Sequence, residues 1–238
     1  MALSPEQEWT LVACGLMAHA DGIVEVGEWE QVLWMLDERI DDGSAQTWLD
    51  RLSDAAALRE HMTTVPVPPP FLSEGILEKA WRMGLADGRG SEAEVAVHND
   101  LANALGVSAE EASQWRSQWT EAAAARSELI AGFASLIAQA DGEVSQSERA
   151  GFEDLLARLP LAAGTRGAMS NLIDEPPEMM MLVGGFTALA PEERRIAMLG
   201  LVPIVRADDR GDAAQEAFLD LAEAVAIGRD DAQRMLER

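Results

Sequence analysis

Apolar residues recur at three- and four-residue spacing along most of the chain, and no stretch alternates apolar and polar residues long enough to make a strand. The first predicted helix runs from Pro5 to about Ala20, with Trp9, Val12, Ala13, Leu16, Met17 and Ala20 on its inner face. Ser4, Pro5 and Gln7 supply its N-cap, first-turn proline and capping-box partner. Gly22 ends it, because glycine takes the left-handed conformation at low cost. A second helix is predicted from about Val26 to Ile40, burying Trp29, Val32, Leu33, Leu36 and Ile40 and closed by Asp41-Asp42-Gly43. A third, alanine-rich helix spans about Ser44 to Met62, and Val65-Pro66-Val67-Pro68-Pro69-Pro70 is a stiff extended connector. Helices follow from Phe71 to Ala86, from about Glu92 to Leu105 with Gly106 as its stop, and from Ser108 (boxed with Glu111) through Trp115 and Trp119. Beyond the alanine-rich Glu121 to Arg126 the plan repeats: Ser127 to Ala140, Ser145 to Leu159, a methionine-rich helix after Glu175-Pro176-Pro177-Glu178, Pro191 to Arg206, Asp212 to Ile227, and Asp230 onward. The expected fold class is all-α, with roughly six to seven helices per copy.

The repeat is clearest in its loops. Ala20-Asp21-Gly22 with Glu28 returns as Ala86-Asp87-Gly88 with Glu94 and as Ala140-Asp141-Gly142 with Glu148. A fourth, altered form is Ala207-Asp208-Asp209 with Gln215. The aspartates stand 66, 54 and 67 residues apart, so a two-element unit of about 120 residues has been duplicated. The predicted domains are 1–121 and 122–238, each with an internal pseudo-repeat. Their fillings differ: all seven tryptophans lie in the first copy, whereas the second has Phe133, Phe152, Phe186, Phe218 and Met179-Met180-Met181, which are expected to fill its core. Cores that diverge while loops keep their spacing suggest that something other than packing holds the loops.

Charge narrows the function classes. The chain has 42 acidic and 18 basic residues, net −24, and only one of the basic residues is lysine. The first copy has 22 acidic and 7 basic residues (net −15), the second 20 and 11 (net −9). Such a field repels nucleic acid and anionic lipid and attracts cations or basic proteins. No run approaches the roughly 20 apolar residues needed to span a bilayer. The start, Met1-Ala2-Leu3-Ser4-Pro5-Glu6, has no basic region followed by an apolar one, so no signal peptide is expected. The single cysteine, Cys14, sits among apolar neighbours; it is expected to be a buried, inert thiol and suits a cytoplasmic protein.

Two accounts of the loops stand side by side. In the first they are local structure: Ser91 with Glu94, Ser145 with Glu148, Asp212 with Gln215 and Glu25 with Glu28 share offsets that fit a capping box. That explains the glutamate better than the aspartate, which faces the negative pole of a helix and must find turn N–H groups, an arginine or a cation. In the second account the aspartate and the glutamate seven residues on approach one hard cation. Aspartate-glycine and this glutamate match three positions of a calcium-binding EF-hand loop. The loop's first two ligand positions, however, fall on Met17 and His19, Met83 and Leu85, or Ile137 and Gln139, so an EF-hand is rejected.

A helix, Ala-Asp-Gly, a short turn, a glutamate seven residues on and an apolar helix, twice per copy, resembles the tellurite-resistance TerB family. A related domain occurs in a membrane-anchored DnaJ-like co-chaperone. The resemblance covers nearly the whole chain as two tandem TerB-like domains. It implies a helical domain whose acidic residues bind a divalent cation such as Ca²⁺ or Mg²⁺, in stress-response assemblies near the membrane. Carried over by position, the metal ligands are Asp21 and Glu28, Asp87 and Glu94, and Asp141 and Glu148. The fourth repeat departs from the pattern at Asp209 and Gln215.

Other chemistry is sparse. Glu94 and His98 share a helix face and are expected to pair at the surface. His19 is expected to be solvated or to cap its helix, and no phosphate loop, zinc-ligand cysteine set or nucleophile elbow appears. The expectation is a non-enzymatic protein. In one form it binds cations through its loops and acts with basic or membrane-associated protein partners, without nucleic acid or membrane insertion. In the other it is a metal-independent interaction scaffold with capped turns.

Overall fold

The structure, a computed structural model, describes residues 3–20, 42–85, 90–207 and 212–237. The predicted helix from Val26 to Ile40 lies outside these residues, as do Asp21, Glu28, Asp87, Asp208 and Asp209. The described residues form twelve α-helices and two short 3-10 turns, with no strand among them. The protein is all-α. It divides into two compact units, Met1–Ala122 and Ala123–Arg238. None of the described helices is long and apolar enough to cross a membrane.

The first unit contains α1 (Pro5–Ala18), α2 (Asp42–Leu52), α3 (Ala55–Met62), α4 (Ser73–Met83), α5 (Glu92–Ala104) and the start of α6 (Ala109–Ala138). Ser4 caps α1 as expected: its Oγ accepts from Gln7 N–H at 3.2 Å while Gln7 Oε1 accepts from Ser4 N–H at 2.9 Å. Every residue from Trp9 to Ala18 is buried, so α1 is a central helix rather than one with a single inner face. That follows from its composition, since a helix apolar all round has no side to give to water. Neighbours approach it closely: a Cβ added at Gly15 would stand 2.7 Å from a Leu52 methyl and 2.8 Å from a Leu58 methyl.

The alanine-rich helix expected from Ser44 to Met62 is two helices. Asp54 Oδ1 accepts from Ala56 N–H at 2.8 Å and caps α3, while Ser53 Oγ donates to Asp50 C=O at 2.7 Å. These short polar side chains take backbone groups that a continuous helix would use. Asp42 and Gly43, read as a stop, lie inside α2. The connector is anchored by Val65 and Pro68, both buried, and Trp9 Nε1 donates to Pro66 C=O at 3.1 Å. A 3-10 turn, Pro70–Leu72, then leads into α4, leaving Phe71 exposed.

The second unit contains the rest of α6, then α7 (Gln146–Arg158), α8 (Ala163–Met169), a 3-10 turn (Ser170–Ile173), α9 (Met179–Ala188), α10 (Pro191–Ala207), α11 (Asp212–Ala224) and α12 (Arg229–Leu236). The sequence pattern does not predict α8, a seven-residue helix that contains Gly164 and Gly167, residues of low helix propensity. Phe133, Phe152, Phe186 and Phe218 are completely buried, with Phe133 and Phe186 meeting edge to face at 4.7 Å between ring centres. The methionine cluster is not core. Met179, Met180 and Met181 are 42%, 81% and 74% exposed, because Leu182 and Phe186 form the inward side of α9 and the methionines fall outside it.

The repeat survives in helix endings. After α5, Val107 N–H donates to Ala102 C=O at 2.8 Å and Gly106 N–H to Asn103 C=O at 3.1 Å, with Gly106 at φ 77°. After α11, Ile227 N–H donates to Ala222 C=O at 2.8 Å and Ala226 N–H to Glu223 C=O at 3.0 Å, but here the left-handed residue is Ala226, at φ 62°. Both are Schellman endings, and the second sets an L side chain where glycine is easier. Ala226→Gly should therefore stabilise the protein by about 1 kcal/mol in urea denaturation; an unchanged or lower midpoint would contradict the ending described.

Candidate functional site

The third Ala-Asp-Gly loop is described completely. After α6, Ala140 N–H bonds Ile137 C=O at 3.1 Å and Gly142 N–H bonds Gln139 C=O at 3.0 Å, and Gly142 adopts φ 86°. Asp141 is exposed, and its Oδ1 accepts from Glu143 N–H at 3.0 Å. Of the three ways to satisfy an aspartate at a helix end, the turn's own N–H is in place here. Glu148 is only 4% exposed and closes a capping box. Its Oε2 accepts from Ser145 N–H at 2.7 Å, and its own N–H donates to Ser145 Oγ at 3.2 Å.

The second loop is described on either side of residues 86–89. Ser91 and Glu94 form the same capping box at the head of α5, and Glu94 is 8% exposed. Gly84, just past α4, lies against Glu94 and α1: a Cβ there would stand 2.8 Å from Met17 Cε and 3.0 Å from Glu94 Oε1. The ends of α1 and α4 therefore lie side by side with the Glu94 carboxylate against them. Gly90 packs against the outer atoms of the Trp81 indole, where any Cβ would collide with the ring. Of the six predicted ligands, Glu94, Asp141 and Glu148 are placed in these ways, and Asp21, Glu28 and Asp87 lie outside the described residues. Among the described residues no three His, Cys, Asp or Glu side chains gather as a metal ion would need.

One cluster lies in the core rather than at the surface where its sequence pattern places it. His98 and Glu94 do not pair at the surface; both are buried, and His98 is completely so. His98 Nε2 donates to Leu77 C=O at 3.1 Å, which leaves Nδ1 to accept from Arg116 Nη1 at 3.0 Å. Arg116 Nη1 also donates to Asn99 Oδ1 at 2.8 Å, and its guanidinium lies 5.5 Å from the Trp81 ring centre. Trp81 and Trp119 meet the imidazole at 5.3 and 6.1 Å, and Trp81 Nε1 donates to Thr120 Oγ1 at 3.0 Å. Both ring nitrogens are thus committed, and neither is left for a metal. The available signal was position: four residues after Glu148, where His98 stands relative to Glu94, the chain has the buried Phe152.

The other histidines are engaged as well. His19 stands at the C-cap of α1, one of the two roles expected for it, and its Nε2 also bonds Leu52 C=O at 2.8 Å, a tertiary contact; His61 Nε2 meets Glu8 Oε2 at 2.9 Å. Cys14 is buried, as expected.

Burial, with the nearby Arg116 charge adding to it, lowers the His98 pKa from 6.5 to about 4, against the opposing bond to Leu77. The unfolded chain takes this proton first as pH falls. The His98 contribution to stability is therefore intact above pH 6.5, declines as pH drops and levels off below about 4, for a total of roughly 3 kcal/mol. An NMR titration of the His98 ring should show its midpoint near pH 4; a midpoint near 6.5 would contradict the buried network. Comparison with protein-family models, with curated proteins and with solved structures finds no match to this chain.

Proposed function

We propose that the chain is a non-enzymatic, TerB-like tandem helical adaptor that binds protein partners within stress-response assemblies, with its Ala-Asp-Gly loops serving as capped turns. The observation that carries this reading is the third loop, where Asp141 and Glu148 already hold backbone N–H groups of their own turn. A carboxylate that closes its own loop accounts for the recurring motif without a ligand. The net charge of −24 directs such an adaptor toward basic partners rather than nucleic acid or anionic lipid.

A second reading places a Ca²⁺ or Mg²⁺ site in the first copy. It is favoured by the meeting of Met17, Gly84 and Glu94, which makes the segments after α1 and α4 begin at neighbouring points. Those segments carry Asp21 and Asp87 in sequence. Oxygen ligands from two loops beside a buried glutamate are the donor set a hard cation takes.

Calorimetric titration of the metal-free protein with Ca²⁺, Mg²⁺, Mn²⁺ and Zn²⁺ separates the readings. The adaptor gives no saturable heat and no rise in Tm at millimolar cation. Saturable heat that is lost in Asp21→Asn/Asp87→Asn would replace it with the cation site; heat that survives those changes would put a metal elsewhere, refuting both the metal-independent adaptor and the site at Asp21 and Asp87.

A further inference from the structure

Helix α9 carries no charged residue from Met179 to Ala188. Its inner side is fully used: Phe186 packs edge to face on Phe133, and Leu182 sits so close to Gly132 that a Cβ there would lie 2.7 Å from its methyl. Its outer side is apolar too, yet faces water. Met180 and Met181 stand out from it, Gly184 has open space where a Cβ would be, and Thr187 and Ala188 continue the exposed face. The one hydroxyl on this face is tied to the helix's own backbone, Thr187 Oγ1 donating to Val183 C=O at 2.9 Å and Gly184 C=O at 3.0 Å. A helix apolar all round is normally enclosed, and this one is enclosed on one side only.

We propose that the outer face of α9 is a docking surface for a basic, amphipathic helix of a partner protein. Unbranched methionine side chains adapt to varied apolar shapes, and the gap over Gly184 admits a partner's large side chain. Charge selects the occupant. Glu175 and Glu178 stand exposed at the head of the helix, and the chain as a whole carries −24. Lysines or arginines flanking the partner's apolar stripe meet this rim favourably, whereas a second copy of the same chain would set acid against acid. Pro176 and Pro177 stiffen the approach to the helix, so little order has to be gained on binding. The inference deepens the adaptor reading by naming its partner's chemistry. The cation titration tests that reading and the following titration tests this face, so either can fail alone.

The probe is a leucine-lysine peptide of about 18 residues, five helical turns, patterned to be amphipathic as a helix. Its control is a peptide of the same composition scrambled to have no apolar face. The full chain should bind the patterned peptide saturably, with a gain of helical circular dichroism and weakening as salt is raised. Met180→Glu/Met181→Glu should weaken binding about tenfold or more, while Met180→Leu/Met181→Leu holds it within about threefold. The glutamate variant adds negative charge, so attraction by charge alone would strengthen its binding instead. Both variants alter exposed side chains and should keep the parent's helical content and Tm. No saturable binding, equal binding of the scrambled peptide, or undiminished binding by the glutamate variant would overturn the proposal. Dimerisation abolished by that variant, or binding to neutral phosphatidylcholine vesicles through the same methionines, would reassign the face to a second copy or to lipid.

Discussion

A carboxylate withdrawn from water at the head of a helix must be met by N–H donors, and this requirement shapes both units. Glu94 and Glu148 each reach back to the amide of the serine three residues before them, while that serine's hydroxyl accepts their own amides. The pair fixes where the helix begins and the direction from which the chain enters it. Each box is built from backbone amides and a serine hydroxyl within four residues, so it forms equally beside a tryptophan or a phenylalanine core. The capping boxes can recur while one unit packs tryptophan and the other phenylalanine.

That freedom shows most clearly at His98. Its counterpart after the other capping box is Phe152, which fills the site with hydrocarbon and needs no partner. An imidazole there has to place two nitrogens, and Leu77 and Arg116 take one each. Arg116 in turn needs Asn99 and the face of Trp81. One polar substitution in the core thus recruits residues from three helices. A buried network of this kind is costly if any member is left unpaired, and it admits fewer alternative packings than an apolar core.

Much of this was legible in the sequence where the physics is local. Caps at Ser4, Ser91 and Ser145, the stop at Gly106 and the left-handed Gly142 all follow from residues a few positions apart. Legibility failed where the answer depended on distant contacts. Periodicity gave α1 an inner face but could not show that neighbours surround it. The same apolar score that suggested a core for Met179-Met180-Met181 is silent on which side of α9 meets Phe133. Glu94 and His98, neighbours on one helix face, read as a surface pair because nothing local reveals Arg116 arriving from α6. At the candidate site, the glutamates' capping role could be read in advance, and the turn amide that meets Asp141 was one of several partners the sequence left open.

The uneven division of aromatic residues also separates the two units optically. All seven tryptophans precede residue 121 and the chain has no tyrosine, so near-ultraviolet absorption and intrinsic emission arise almost wholly from the first unit. The second, built on phenylalanine, is nearly dark at those wavelengths, although its helices contribute fully to far-ultraviolet dichroism. Near-ultraviolet light therefore reports on the first unit, and far-ultraviolet dichroism on both, in one unmodified chain. Trp81, whose ring lies against Gly90, places one of these emitters at a residue two positions beyond the second Ala-Asp-Gly in sequence.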